Sequence, residues 1–252
     1  MDNSFPYLTA DQRIQFPDPG PASRDAPVCY GANLSPGVLL SAYEQGLFPW
    51  FSQGDPLLWW CPDPRFVLFP ESLRISSRLR RYMKSSSWRI TVDHSFEQII
   101  RLCRSTRTHT GTWITDEMLD AYVHLHTLGV AHSIEVWEGG SLVGGLYGVH
   151  TGRVFSGESM VSLKPNSSKF SLVYLTRILP RLGGVVIDAQ METPHIRALG
   201  GEYISRKTFL GLVHTESTVH GSGGAINRSA ELPGEDWSYW EDREITVPEL
   251  LT

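Results

Sequence analysis

HSIEVWEGGSLVGGLYGVHTGRVFSGESM, residues 132–160, is the stretch that decides the fold. Apolar positions recur at every second residue over Ser133–Trp137, Leu142–His150 and Val154–Met160, and the runs are separated only by Gly139-Gly140 and Thr151-Gly152. A period of two marks strands, and such short breaks leave room only for tight turns. The three strands must therefore form an antiparallel meander. Side chains two apart on a strand share a face, so this reading groups Ser156, Glu158 and Met160.

Helical signals flank the meander. Upstream, Thr115 caps a helix whose Asp116 and Glu117 suit its positive end and whose Met118, Tyr122 and Leu125 repeat at helical spacing until Gly129. Ser95 followed by Gln98 reads as a capping box opening a helix to about Cys103. Pro36–Gln45 reads as a third helix, capped by Ser35 and stopped by Gly46. Downstream come a helix near Ser168–Leu182, a β-branched strand Val185–Ala189, a short helix near His195 and a last strand at Tyr203. The order predicts an α+β fold, a mixed sheet with flanking helices in the acetyltransferase-like (GNAT-like) pattern.

On the strand at 185–189, Asp188 and Gln190 share a face. A carboxylate on an inner strand is costly unless paired or wet, which marks Glu158 and Asp188 as candidate functional groups. Edge-strand acids in solvent are the plain alternative. An acetyl-coenzyme A enzyme on this scaffold needs a glycine-rich loop before the long helix, whose backbone N–H groups hold the pyrophosphate. Here that stretch is Ser162-Leu163-Lys164-Pro165-Asn166-Ser167-Ser168-Lys169, without glycine. Another acyl donor is implied.

Five aromatics, Phe48, Trp50, Phe51, Trp59 and Trp60, surround a Gly54-Asp55-Pro56 turn and read as a pocket wall, a domain junction or a satellite core cluster. The 252 residues carry 41% apolar content, enough for one large domain or two small ones. No apolar run reaches the roughly 20 residues of a membrane span, and Met1–Ala10 lacks the pattern of a secretory signal. A soluble protein in the cytoplasm is expected. Cys29, Cys61 and Cys103 are far apart and odd in number, against a disulfide frame or structural zinc. His124 and His126, two apart on a helix, fall on different faces, so no metal site is expected.

The net charge of -5 conceals a division. Arg74, Arg78, Arg80, Arg81, Lys84, Arg89, Arg101, Arg104 and Arg107 stand against only Asp93 and Glu97, whereas residues 215–252 hold eight acids against Arg228 and Arg243. The basic segment suits a polyanion whatever the whole-chain sum, with a solvated helix face as the alternative. The acidic tail contains Gly221-Ser222-Gly223-Gly224 and reads as a flexible arm.

Six motifs then stand in order: Gly46-Leu47-Phe48-Pro49-Trp50-Phe51, Trp59-Trp60-Cys61-Pro62-Asp63-Pro64-Arg65, Gly111-Thr112-Trp113-Ile114-Thr115, His132-Ser133-Ile134-Glu135-Val136-Trp137, Gly157-Glu158-Ser159-Met160 and Asp188-Ala189-Gln190, the last followed by His195 and Leu199-Gly200. They resemble leucyl/phenylalanyl-tRNA-protein transferases from about Gly31 to Phe209. Ala32-Asn33, Val161, Leu163, Thr193 and Ala198 depart from that pattern.

The resemblance implies an N-terminal domain over residues 1–65 and an acetyltransferase-like catalytic domain over 66–214, and the acidic tail over 215–252 lies outside it. It implies transfer of Leu or Phe, with Met as a further donor, from aminoacyl-tRNA to proteins with N-terminal Arg or Lys, marking them for N-degron degradation without a cofactor. By the same resemblance Asp188 accepts a hydrogen bond from the Gln190 amide, whose carbonyl takes a proton from the attacking amine. Glu158 binds a cation, either the donor's ammonium or the acceptor's side chain. Trp50, Trp113, Met160 and Ser156 form the pocket for the donor side chain and terminal adenosine. From their charge, Arg78, Arg80, Arg81 and Lys84 are the residues expected to meet tRNA phosphates. A small-molecule acyltransferase and a non-catalytic module that reads tRNA or N-termini are the rival classes.

Overall fold

A computed structural model describes residues 5–20, 22–23, 26–106, 113–214, 236–241 and 243–246. The strands are β1 (Cys29–Tyr30), β2 (Phe48–Pro49), β3 (Leu58–Trp60), β4 (Arg65–Leu68), β5 (Arg89–Val92), β6 (Ala131–Glu138), β7 (Ser141–Thr151), β8 (Val154–Ser162), β9 (Val186–Asp188), β10 (Glu202–Ile204) and β11 (Ile245–Thr246). The helices are α1 (Pro36–Glu44), α2 (Ser77–Ser85), α3 (Phe96–Ser105), α4 (Asp116–Thr127), α5 (Ser167–Ile178), α6 (Pro194–Ala198), α7 (Arg206–His214) and α8 (Trp237–Glu241). Among the described residues no helix is long and apolar enough to cross a membrane.

The expected meander is β6-β7-β8, at the centre of an eight-stranded sheet ordered β10-β4-β9-β8-β7-β6-β5-β11. All its neighbours are antiparallel except β8 and β9, so the sheet is mixed. Alternation assigns its two faces. Tyr147, Val149 and Val161 pack into a core with α1, α3 and α4, whereas Ile134, Leu146 and Phe155 pack into a second core with α2 and α5. The fold class is thus α+β, with helices on both faces of one mixed sheet. A small sheet of order β1-β3-β2 joins the first core through Phe48 and Trp59.

Local capping chemistry partly follows the sequence. The Thr115 side chain accepts from the Met118 N–H at the start of α4. Ser35 precedes α1 without capping it, because its hydroxyl accepts from the Leu8 N–H and so ties the N-terminal lead to the helix. Ser95 likewise makes no side-chain cap, and its own N–H donates to the buried Glu135. α2 places Leu79 and Met83 one turn apart on its buried face and leaves Arg78, Arg80, Arg81 and Lys84 exposed.

Part of the tail departs from expectation. Residues 236–241 and 243–246 are docked on the body: β11 pairs with β5, Trp240 is buried, and Trp237 stacks on His132 with ring centroids 4.0 Å apart. Two indoles supply apolar area that net charge alone does not reveal, and burying it outweighs the acids' preference for water. The Gly-Ser stretch lies outside the described residues.

Candidate active site

The site forms where β8 and β9 part. They pair in parallel only over Val154↔Val186, Phe155↔Ile187 and Ser156↔Asp188, although β8 runs on to Ser162. Beyond Asp188 the chain parts from β8 while the Ala189 N–H still donates to the Phe66 carbonyl of β4, with Gln190 in the left-handed region at φ 62°. The divergence opens a cavity of about 540 Å³. Leu146, Phe155, Met160, Leu172, Leu175 and Ile187 give it apolar walls, Glu158, Gln190 and His195 give it polar groups, and Trp50 and Trp113 complete the lining. Trp50 is 40% exposed and packs against Trp60 at a ring separation of 5.6 Å.

A bulge in β8 sets the contents of the cavity. Gly148 pairs with Gly157 and Tyr147 with Ser159, which leaves Glu158 as the extra residue. The alternation therefore resets, so that Phe155, Gly157, Met160 and Ser162 share a face that lines the cavity, Glu158 and Ser159 reach the lining as well, and Ser156 does not. Ser156 is buried in the ladder between Val149 and Asp188. The expected grouping of Ser156 with Met160 fails because a bulge shifts every later side chain to the opposite face.

Glu158 is held by side chains from three elements. Its Oε1 accepts from the Tyr43 hydroxyl of α1 at 2.8 Å and from Nε2 of Gln190 at 2.8 Å, and its Oε2 lies 3.2 Å from the Tyr122 hydroxyl of α4. The Tyr43 and Tyr122 hydroxyls also touch each other. Three oxygen–oxygen contacts among these groups need three protons, and two tyrosines supply two. The third can come from Glu158, whose pKa burial pushes up to about 7. Burial, followed by the proximity of Glu158, holds both tyrosines well above their usual range.

Asp188 has a different setting. Its Oδ1 accepts from Arg65 Nε and from the Gln190 backbone N–H, both at 2.8 Å, and its Oδ2 accepts from Arg65 Nη2 at 2.6 Å. The Gln190 side-chain amide reaches Glu158 instead. The expected side-chain bond from Gln190 to Asp188 is therefore absent, because the left-handed turn at Gln190 ends the strand alternation that placed the two on one face. The planar Gln190 amide, held through its nitrogen, turns its carbonyl oxygen away from Glu158.

Arg65, Tyr43 and Tyr122 were not singled out in the sequence as site residues. Arg65 closes the Trp-Trp-Cys-Pro-Asp-Pro-Arg motif, the one signal that could have found it. The tyrosines read as ordinary core positions of two helices. The start of α5 is also self-sufficient, since the Ser168 N–H donates to Ser162 Oγ at 3.0 Å and Ser167 Oγ to the Val143 carbonyl at 2.7 Å. A pyrophosphate would find that first turn occupied.

An apolar recess thus opens beside a carboxamide and a carboxyl group, the form of a small-ligand site. The model of the leucyl/phenylalanyl-tRNA protein transferase family matches residues 67–214, and that of its N-terminal domain matches residues 32–63. Similar chains are the leucyl/phenylalanyl-tRNA–protein transferases of Shewanella piezotolerans, 47% identical over 92% of this chain and 98% of that one, and of Syntrophus aciditrophicus, 42% identical over 92% and 100%. A third, from Nitrosomonas eutropha, is 51% identical over 71% of this chain and 77% of its own. A GCN5-related N-acetyltransferase from Kribbella flavida aligns with a TM-score of 0.36 and 12% identity, over 68% of this chain and 62% of that one. The chain belongs to the leucyl/phenylalanyl-tRNA protein transferase family and is a transferase.

Proposed function

We infer that the protein transfers Leu, Phe or Met from aminoacyl-tRNA to the N-terminal Arg or Lys of acceptor proteins in the cytoplasm, marking them for N-degron degradation. Residues 1–65 serve as the N-terminal unit and residues 66–214 as the catalytic one. The observation that carries this reading is the apolar cavity with Glu158 and Gln190 on its lining. The donor side chain enters the cavity, and its ester carbonyl comes to rest near Gln190. Trp50 and Trp113 stack on the terminal adenosine, for which the exposed face of Trp50 is suited.

The chemistry is aminolysis. The acceptor amine attacks the ester carbonyl carbon, a C–N bond forms, the C–O bond to the ribose breaks, and the amine's proton passes to the departing ribose oxygen. The ester is already activated, so alignment supplies most of the acceleration. The Gln190 carbonyl oxygen orients the amine and takes its N–H as a hydrogen bond. Glu158, accepting from the other end of the same amide, raises the basicity of that carbonyl. A cation arriving at Glu158 replaces the third proton of the tyrosine network. Asp188 acts one step back, fixing the Gln190 backbone under the grip of Arg65. The exposed cations of α2 meet tRNA phosphates.

The deciding experiment supplies labelled Leu-, Phe-, Met- and Val-tRNA with peptides beginning with Arg, Lys, Asp or Ala. Transfer restricted to the large apolar donors and basic N-termini supports the reading. Transfer indifferent to the donor side chain removes the cavity from it.

A further inference from the structure

Phe155 lines the cavity, and against its ring packs a residue from the other end of the chain that does not itself line it. Trp237 sits 5.9 Å from the Phe155 ring, stacks on His132 at 4.0 Å and 8°, and donates from Nε1 to His150 Nδ1 at 3.0 Å. The alternation of β6, β7 and β8 explains the meeting. Leu146 and Phe155 line the cavity, and His150, facing Phe155 across the ladder, continues the same sheet face away from it. His132 pairs with Gly148, and the Phe155 ring lies over that glycine, where a side chain would collide with it. The indole of Trp237 packs between His132, His150 and the Phe155 ring.

We propose that Trp237 is a positioning residue for donor choice: by backing Phe155 it fixes the depth of the apolar cavity, so the docked C-terminal segment takes part in selecting the side chain transferred. This rests on the reading that the donor side chain occupies the cavity. Trp237 touches no reacting atom and acts through Phe155 alone.

Several features make this support firm. Trp237 is held by a stack and a hydrogen bond rather than by one apolar contact, so its position is specified in angle as well as depth. The bond requires His150 to present a lone pair at Nδ1, and burial, with His132 beside it, drives the His150 pKa down to about 3 and keeps the ring neutral. His132 is fixed in turn by Asp93 Oδ2 at 2.6 Å from its Nδ1. The neighbouring Trp240, buried against Tyr174 at 5.9 Å, pins the same short helix to α5, whose Leu172 and Leu175 form another wall of the cavity.

Removing the indole lets the Phe155 ring recede into the vacated space. A deeper cavity favours the larger donor. In full-length Trp237→Ala, the ratio of kcat/KM for Phe-tRNA to that for Leu-tRNA is expected to rise by at least about threefold. Trp237→Phe, which restores a ring but not the N–H, is expected to recover most of the parent ratio. A purely structural role reduces the active fraction and lowers both donors alike, so an unchanged ratio overturns the proposal even where total activity falls. Met160→Ala, inside the cavity, is the control. A ratio moved by Met160→Ala but not by Trp237→Ala rejects the role of Trp237 and leaves the cavity reading standing, whereas a ratio moved by neither overturns both.

Discussion

Arg65 grips Asp188 side-on inside the protein. Nε and Nη2 donate to the two carboxylate oxygens at 2.8 and 2.6 Å, with the side chains 1% and 0% exposed. The guanidinium lies 4.6 Å from the Phe48 ring and 4.4 Å from the Phe209 ring, so it is planar-packed as well as paired. Asp188 uses its remaining capacity on the Gln190 N–H. This pair locks the strand end from which Gln190 departs.

Breaking the pair leaves a buried charge alone. Arg65→Ala and Asp188→Ala are each expected to lower unfolding free energy by about 3–5 kcal/mol, read from denaturant midpoints. Replacing both by apolar residues of similar volume, as in Arg65→Met with Asp188→Leu, recovers most of that loss. Single variants with parent stability would show that the pair does not form.

Gln190 is expected to matter to rate and not to fold. It is half-buried, and its side chain binds only Glu158 among the described residues. Gln190→Ala should reduce single-turnover transfer by at least about tenfold, or about 1.4 kcal/mol in the barrier, with little change in melting temperature or tRNA affinity. A near-parent rate rules out the amide as the amine's anchor.

Glu158 predicts a pH dependence of stability with a definite sign. Its folded pKa, about 7, lies above the ordinary 4.5, so its contribution is full below the ordinary value and is lost as pH rises through about 7. Glu158→Gln cannot ionise. Relative to the parent, the variant should gain stability between pH 5 and pH 8, by a few kcal/mol at most on the order-of-magnitude scale of such linkage. Parallel melting-temperature profiles for the two proteins would place the Glu158 pKa in the ordinary range.

The α2 surface makes an electrostatic prediction. Arg80→Gln with Lys84→Gln should weaken tRNA binding and flatten its dependence on log salt by roughly 0.7–0.9 per lost phosphate contact. The melting temperature should stay near the parent's, because both side chains are exposed. An unchanged salt slope puts the tRNA on another surface.

The sequence alone determined the central sheet and the family. The meander of residues 131–162 was legible because backbone pleating imposes a period of two wherever one face must be buried, and the Gly139-Gly140 and Thr151-Gly152 breaks fix the turns. The helix α4 was legible from apolar spacing at a period of 3.6, and α1 and α3 from cap and stop residues, although Ser35 and Ser95 make no side-chain cap. Trp50, Trp113, Met160, Glu158 and Gln190 line one cavity. Tertiary structure alone decided how the acids are used. The bulge at Glu158 and the left-handed turn at Gln190 each reset alternation by one residue, which took Ser156 out of the cavity and turned the Gln190 amide from Asp188 to Glu158. Neither break leaves a local signature in residue type, because each depends on how neighbouring strands pair. The partners Tyr43, Tyr122 and Arg65 come from positions 115, 36 and 123 residues away in the chain, and Trp237 reaches His150 across 87. Such contacts exist only once burial of the two cores has brought those segments together.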